Sequence, residues 1–478
     1  MSKTARKLFK QSTSRRSDGF ESGLSSAPVS DDDGYNSEGS VLSLDDYSPP
    51  GTPTGVEIDY AEELNQQLDA LLEKRASTRE AALATLIQLL GTHYLPEELD
   101  AVADTALDYL LRCVKRDKAV AENVLAAKAL SLYFITLGPG HESRYAELAA
   151  TALPLLTKPK ADRSDAVRAA LSESLTAGCF VTGTPDDAAT LITAIATTSL
   201  ATYRHMLSRA TTSSATAAAA AALSATSGVA KVTHHATAST AATALPGARL
   251  LPPLLAHLGA LCTVAGRTAA VHVAAIEHAP TYVRLLSSPA VSSEAKVLAA
   301  ENVALFHEVG ALGSTDVEES TTEGDEEESH HPLIERIATV LGDVMGGAGT
   351  ETSVKAIAQR DRKSQRAAFR DVLSYLDSDV APSLKLKFRK ENVVLSTWCQ
   401  LRQLYLFRTI LGAQVHVHFL RNPLMRDVFG FTADLDAGLS KQERRFVHHP
   451  SSEASRAKTM HLAKQRQVRA SKITHFED

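Results

Sequence analysis

Tyr60-Ala-Glu-Glu-Leu64-Asn-Gln-Gln-Leu68-Asp-Ala-Leu71-Leu72 places its leucines at i, i+4, i+7 and i+8, one face of an α-helix. The spacing returns at once in Leu83, Leu86, Ile87 and Leu90, after Ser77 and Thr78, which suit an N-cap. Pro96 with Glu97 and Glu98 opens a third helix, expected to run to Lys118 over Val102, Leu107, Leu110 and Leu111. Val120–Leu137 makes a fourth, ended by Gly138-Pro139-Gly140, and further helices are expected over Tyr145–Leu156 and Ser164–Phe180. Helices resume at Leu250–Leu261, Thr268–Leu286 and Ser293–Val309, and again from Pro332. No run of alternating residues reads as a strand. The pattern predicts an all-α fold, an armadillo- or HEAT-like helical-repeat solenoid of two-helix units over 59–310, with C-terminal helices over 332–438.

Three stretches break this pattern. From Ser17 to Glu73 there is no Lys or Arg, acids recur as in Asp31-Asp32-Asp33, and large apolar side chains are few. Residues 1–58 are therefore expected to form a disordered acidic leader, with Ser48-Pro49 and Thr52-Pro53 as proline-directed phosphorylation motifs. Residues 210–244 form an Ala/Ser/Thr-rich insertion that includes Ala217–Ala222, expected as a loop with fraying helix. Residues 311–331 carry the acids from Asp316 to Glu328 and are expected as a solvated loop.

Composition points the same way. Of 478 residues, 44% are hydrophobic but only 5% aromatic, so the core rests on Leu, Ala and Val, which suits stacked helices. The basic segment Met1–Lys10 lacks the apolar centre of a secretory signal, and no 18-residue run lacks polar interruption. The expected compartments are cytoplasm and nucleus. Cys113, Cys179, Cys262 and Cys399 have neither zinc nor redox spacing and are expected as buried free thiols.

No phosphate loop, dinucleotide fingerprint, nucleophile elbow or HExxH motif occurs. The pairs His234-His235, His330-His331 and His448-His449 sit in biased or charged segments without further ligands, so no metal or cofactor is expected. His416 and His418 flank Val417 in an apolar stretch. In an extended segment both rings would share one side; a hydrolase using His416 or His418 stands against the plainer expectation of packed histidines held by backbone groups.

The tail, residues 439–478, carries the sharpest charge. Between Ser440 and Thr474 stand Lys441, Arg444, Arg445, Arg456, Lys458, Lys464, Arg466, Arg469 and Lys472 against Glu443 and Glu453, a balance of +7 within a chain of net charge −6. As a helix from Ser452 onward, these cations spread around the axis and leave no apolar stripe. Such a helix suits phosphates approaching from several directions, as in an RNA channel. A loosely acid-binding tail or a nuclear import signal fits the same charges.

Arg366-Ala-Ala-Phe369-Arg370-Asp371-Val372-Leu373, then Trp398, then Val415-His416-Val417-His418 with Asn422 and Arg426-Asp427-Val428-Phe429, resembles the interferon-related developmental regulator family. Ser440 and Glu443-Arg444 resemble the start of that family's basic C-terminal motif, although His448-His449-Pro450-Ser451-Ser452 and a thinner basic run depart from it. The resemblance implies an armadillo-type fold, no enzyme activity and no small-molecule substrate. It implies two roles: a factor on inactive ribosomes, with its basic helix in the mRNA path of the small subunit beside rRNA, and a transcriptional co-regulator with corepressor complexes.

Overall fold

Asp59 starts the first helix chemically, its carboxylate accepting the N–H groups of Ala61 and Glu62 while Glu62 and Glu63 face the positive end of the helix dipole. The same device recurs at Ser164, Ser292 and Thr397, each of which caps a helix by accepting a backbone N–H three residues on. The computed structural model describes residues 40–43, 59–116, 119–157, 164–226, 247–312, 332–346, 357–388 and 391–430. All of them fall within one unit, Tyr35–Asp478.

Among the described residues the helices are α1 Tyr60–Ala70, α2 Ala76–Thr92, α3 Pro96–Asp100, α4 Ala103–Lys115, α5 Val120–Leu137, α6 Glu142–Thr157, α7 Asp165–Thr182 and α8 Pro185–Thr226. After them come α9 Leu251–Ala265, α10 Ala269–Ser287, α11 Ser293–Glu308, α12 Pro332–Gly346 and α13 Ile357–Ser378. A short β-hairpin, β2 Leu384–Phe388 and β3 Glu391–Leu395, precedes α14 Trp398–Leu411, a 3₁₀ turn Gly412–Gln414, α15 Val415–Arg421 and α16 Pro423–Phe429. Strand β1, Ser40–Ser43, comes from the N-terminal leader and pairs in parallel with β2, giving the order β1-β2-β3.

The helices lie in two rows. In the first, α2, α5, α7, α9, α11 and α13 each pack on the next; in the second, α4, α6, α8, α10 and α12 do the same, each also leaning on the first row. Neither row can bury its apolar face alone, so the core runs as one continuous cluster from Leu64 to Phe429. Tyr133, Phe134, Tyr145 and Phe306 are among the bulky side chains fully buried within it. Helix α5 is long and apolar enough to cross a membrane by length and composition, yet 67% of it is buried inside the protein, as a central packing helix requires.

The all-α expectation holds, with local corrections. The expected absence of strands is overturned by β1, β2 and β3. Leu384-Lys-Leu-Lys-Phe alternates with Leu384 and Leu386 buried and Lys385 and Lys387 exposed, but over five residues that period is too short to stand out beside the long helical stripes. The leader, expected to be disordered throughout, contributes β1; its other residues up to 58 lie outside the described set. The helix expected from Pro96 to Lys118 breaks at Ala101 and Val102 into α3 and α4. Arg75, not Ser77 or Thr78, stands at the N-cap of α2, without a side-chain hydrogen bond. In the insertion expected as a loop with fraying helix, α8 continues to Thr226, as its alanines favour, and residues 227–244 lie outside the described residues. Ala311 and Leu312, expected in the acidic loop, are buried at 1% and 2% exposure.

Candidate functional site

The first helix row has a face that is covered by the chain itself. Glu308, closing α11, accepts the N–H of Trp398 at 2.8 Å and of Cys399 at 2.7 Å, and so receives the positive end of α14. From there α14 packs across α11, α9 and α5, and α15 reaches α2. Together α14–α16 form a strap along the row.

The strap is tied to α13, α11, α9 and α7 in turn. Trp398 is buried and meets Tyr375 of α13 edge-on, with ring centres 6.0 Å apart. Arg402, only 2% exposed, pairs with Glu301 of α11 and donates to the Ala256 carbonyl of α9. That approach needs Gly259, where a Cβ would overlap Asn302 Oδ1 and come within 2.9 Å of Arg402 Nε. Asn302 in turn donates to the Leu255 carbonyl at 2.9 Å. Gln403 donates to Thr263 of α9 at 3.2 Å, and Phe407 meets Phe180 of α7 edge-on at 5.4 Å. Gly412, at φ +56°, turns the chain out of α14 in a conformation that side chains resist.

The strap ends against α2 and α5. His418 is fully buried and its Nε2 lies 3.0 Å from the Leu90 carbonyl. Asn422 uses both ends of its amide: Nδ2 donates to the Ile135 carbonyl at 2.8 Å, and Oδ1 accepts the Leu424 N–H at 3.0 Å, capping α16. The Phe419 and Phe429 rings meet tilted at 42°, with centres 5.1 Å apart.

Burial dominates the electrostatics around the strap. Burial pushes the His418 imidazole down to about 4 and that of His257, bonded to Ser172, down to about 3. Burial also lowers His416, whose Nδ1 lies 2.7 Å from the Ala413 carbonyl. Both residues lie on a helix, so the condition under which His416 and His418 would share one side, an extended segment, is not met. They are held by separate backbone carbonyls, as expected for packed histidines. Burial raises the Glu301 carboxyl despite Arg402. The thiols of Cys113, Cys179 and Cys262 are buried and pushed up to about 12, which suppresses the thiolate. Among the described residues no group of three or more His, Cys, Asp or Glu is placed to hold a metal ion.

The family-like residues thus divide. Phe369, Trp398, His416, His418, Asn422 and Phe429 are buried, and Asp371 is buried near Glu301. Arg366 and Arg370 on α13 and Asp427 on α16 face solvent, and Arg426 is half-buried. Lys441, Arg444, Arg445, Arg456, Lys458, Lys464, Arg466, Arg469 and Lys472 lie outside the described residues, as do the three His-His pairs. Sequence reasoning missed Arg402, Glu301, Glu308 and Asn302; nothing in their spacing marks a charge as buried.

Comparison with known proteins agrees with the residue pattern. Residues 36–377, more than half of the chain, match the family model described as interferon-related developmental regulator. The match takes in β1 and runs through α13, so Arg366, Phe369, Arg370 and Asp371 fall inside it and the strap follows it. The chain is 29% identical over 416 residues to interferon-related developmental regulator 2 of Mus musculus, covering 86% of this chain and 82% of that protein. To interferon-related developmental regulator 1 of Homo sapiens it is 27% identical over 423 residues, covering 87% and 82%. A solved engineered protein aligns at TM-score 0.30 and 12% identity over 65% of this chain, too weak a likeness to bear on the fold. On the extent of the family match, this chain belongs to the interferon-related developmental regulator family.

Proposed function

We propose that the chain is a non-enzymatic helical-repeat scaffold that binds ribosomal RNA through its basic tail and restrains translation. The observation that carries this reading is the charge segregation at the C-terminus: nine cations against two acids between Ser440 and Thr474 in a chain of net charge −6. The strap supports it, because His418 and Asn422 tie the chain to α2 and α5 ahead of Gly430, the last described residue before the tail. An anchored tail threads a channel such as the mRNA path of the small subunit at a lower ordering cost than a free one. The buried histidines and high-pKa thiols support the non-enzymatic part.

The second reading is a nuclear co-regulator that holds corepressor proteins. Its usual groove, the face of the first helix row, is filled by α14–α16, so such a partner requires another surface. Val273 and Ile276 on α10, 43% and 37% exposed, favour the second row. A chain with both functions would work in cytoplasm and nucleus.

Removing residues 441–478 tests the first reading. The expected result is that the full chain co-sediments with ribosomes at low salt and the truncated chain stays in the supernatant, while both unfold at the same urea midpoint. Equal sedimentation of both forms would remove the tail from the account.

A further inference from the structure

Two aromatic pairs stand where the end of the strap meets α2. His93, at the C-cap of α2, is extended at φ −128° and ψ 134° and leads the chain into Tyr94. Its ring lies 4.5 Å from that of Tyr60, the first residue of α1, with the planes tilted by 36°. The Tyr94 ring meets His418 of α15 edge-on, with centres 6.0 Å apart. Tyr60, His93 and Tyr94 are each half-buried, so each keeps part of its surface open to solvent. A guanidinium stands by each pair. Burial lowers the His93 imidazole, and the charge of Arg421, exposed at the end of α15, lowers it further. Burial raises the Tyr94 hydroxyl, and Arg426 of α16 opposes the rise. Among the described residues neither arginine forms an ion pair, although Asp427 is exposed beside Arg426. Arg426 Nε has no hydrogen-bond partner at all, so this guanidinium holds donor capacity that the protein does not use.

Rings open to solvent beside unpaired arginines are the chemistry that grips single-stranded nucleic acid. Ring faces and guanidinium planes stack on unpaired bases, and the guanidinium also reaches phosphate. A duplex offers no free base face, and an acidic peptide gives the rings nothing planar to stack on. The site also lies just ahead of the tail in sequence, since α16 ends at Phe429 and the cations begin at Lys441. We propose that Tyr60, His93, Tyr94, Arg421 and Arg426 form a second RNA contact, a stacking site for unpaired bases of the strand that the tail binds. This inference rests on the reading that the chain binds RNA, and extends it from charge on the tail to base recognition on the folded body. Stacking on the rings is largely independent of salt, and the two arginines add at most two phosphate contacts, so the tail keeps the larger share of the salt dependence.

The test measures binding of a fluorescein-labelled oligouridine of about 12 nucleotides to the full chain at several salt concentrations. Tyr94→Leu and Tyr60→Leu keep apolar bulk at half-buried positions and remove a stacking face. Each is expected to bind about tenfold more weakly with an unchanged salt slope. Tyr94→Phe should bind as the wild type does. Arg421→Gln, at an exposed position, should make the slope shallower by about 0.7. Equal urea midpoints establish that the variants are folded. The tail is read separately in the full chain through Arg466→Gln with Arg469→Gln, which should make the slope shallower and leave the Tyr94→Leu effect in place. Unchanged affinity in both leucine variants overturns the stacking site, and the tail reading survives it if the tail variant still loses slope. A tail variant that changes nothing, with both leucine variants weakened, removes the tail and keeps the site. A Tyr94→Leu effect just as large on an RNA duplex of the same length, or on polyglutamate, also overturns the proposal.

Discussion

His418 shows how a residue can be recognisable and still be a packing element. Its imidazole is fully buried, held down to about 4, and bonded to a backbone carbonyl 328 positions away in sequence. A lowered histidine contributes stability that is present above the unfolded value near 6.5 and lost as pH falls toward the folded value. The wild-type chain is therefore expected to lose about 2–3 kcal/mol between pH 6.5 and 4.5 through this residue alone. His418→Gln keeps a donor for the Leu90 carbonyl but cannot titrate, so urea midpoints at the two pH values should lie closer together than in the wild type. An unchanged gap would show that His418 is not the group titrating. Periodicity singled out His416 and His418 because two polar rings interrupt an apolar stretch, and the packed alternative was legible there. The carbonyl that His418 meets was not, since nothing local encodes a partner in α2. Arg402 was less legible still: in sequence a buried arginine and a solvated one look alike.

At the scale of elements, the strap is set by a polar core, not by apolar fit alone. Arg402, Glu301, Asn302 and the carbonyls of Ala256 and Leu255 form a buried network at the only depth that Gly259 permits. Arg402→Ala leaves the Glu301 carboxylate buried without its partner and is expected to cost about 3–5 kcal/mol. Replacing both, Arg402→Met with Glu301→Leu, should recover most of that loss, because the pair's value lies in register more than in net stability. Chemical denaturation of the two variants measures this. A double variant as unstable as Arg402→Ala would mean the network stabilises the fold outright. The long helices were legible because stripes such as Leu64, Leu68 and Leu71 repeat over several turns, and all three are buried. The hairpin and α15 were not. Five-residue strands offer too few periods, and Val415–Arg421 is a two-turn helix that alternates like a strand.

At the scale of the molecule, two helix rows carry a strap that crosses α11, α9 and α5 and reaches α2. The anionic leader and cationic tail attach at described points, β1 on the hairpin and α16 on α5. Both rows follow from apolar periodicity read along the chain. The strap's course over them does not, because it depends on contacts more than 100 residues apart, such as Asn422 with Ile135. The central claim is that RNA binding belongs to the tail, and its most direct test is the salt dependence of equilibrium binding to isolated small ribosomal subunits. For the full chain, log K should fall linearly with log salt, with a slope no steeper than about −6 for nine cations on single-stranded RNA. The chain lacking residues 441–478 should bind weakly with a shallow slope. Tight binding by both forms, with one and the same slope, would contradict the account.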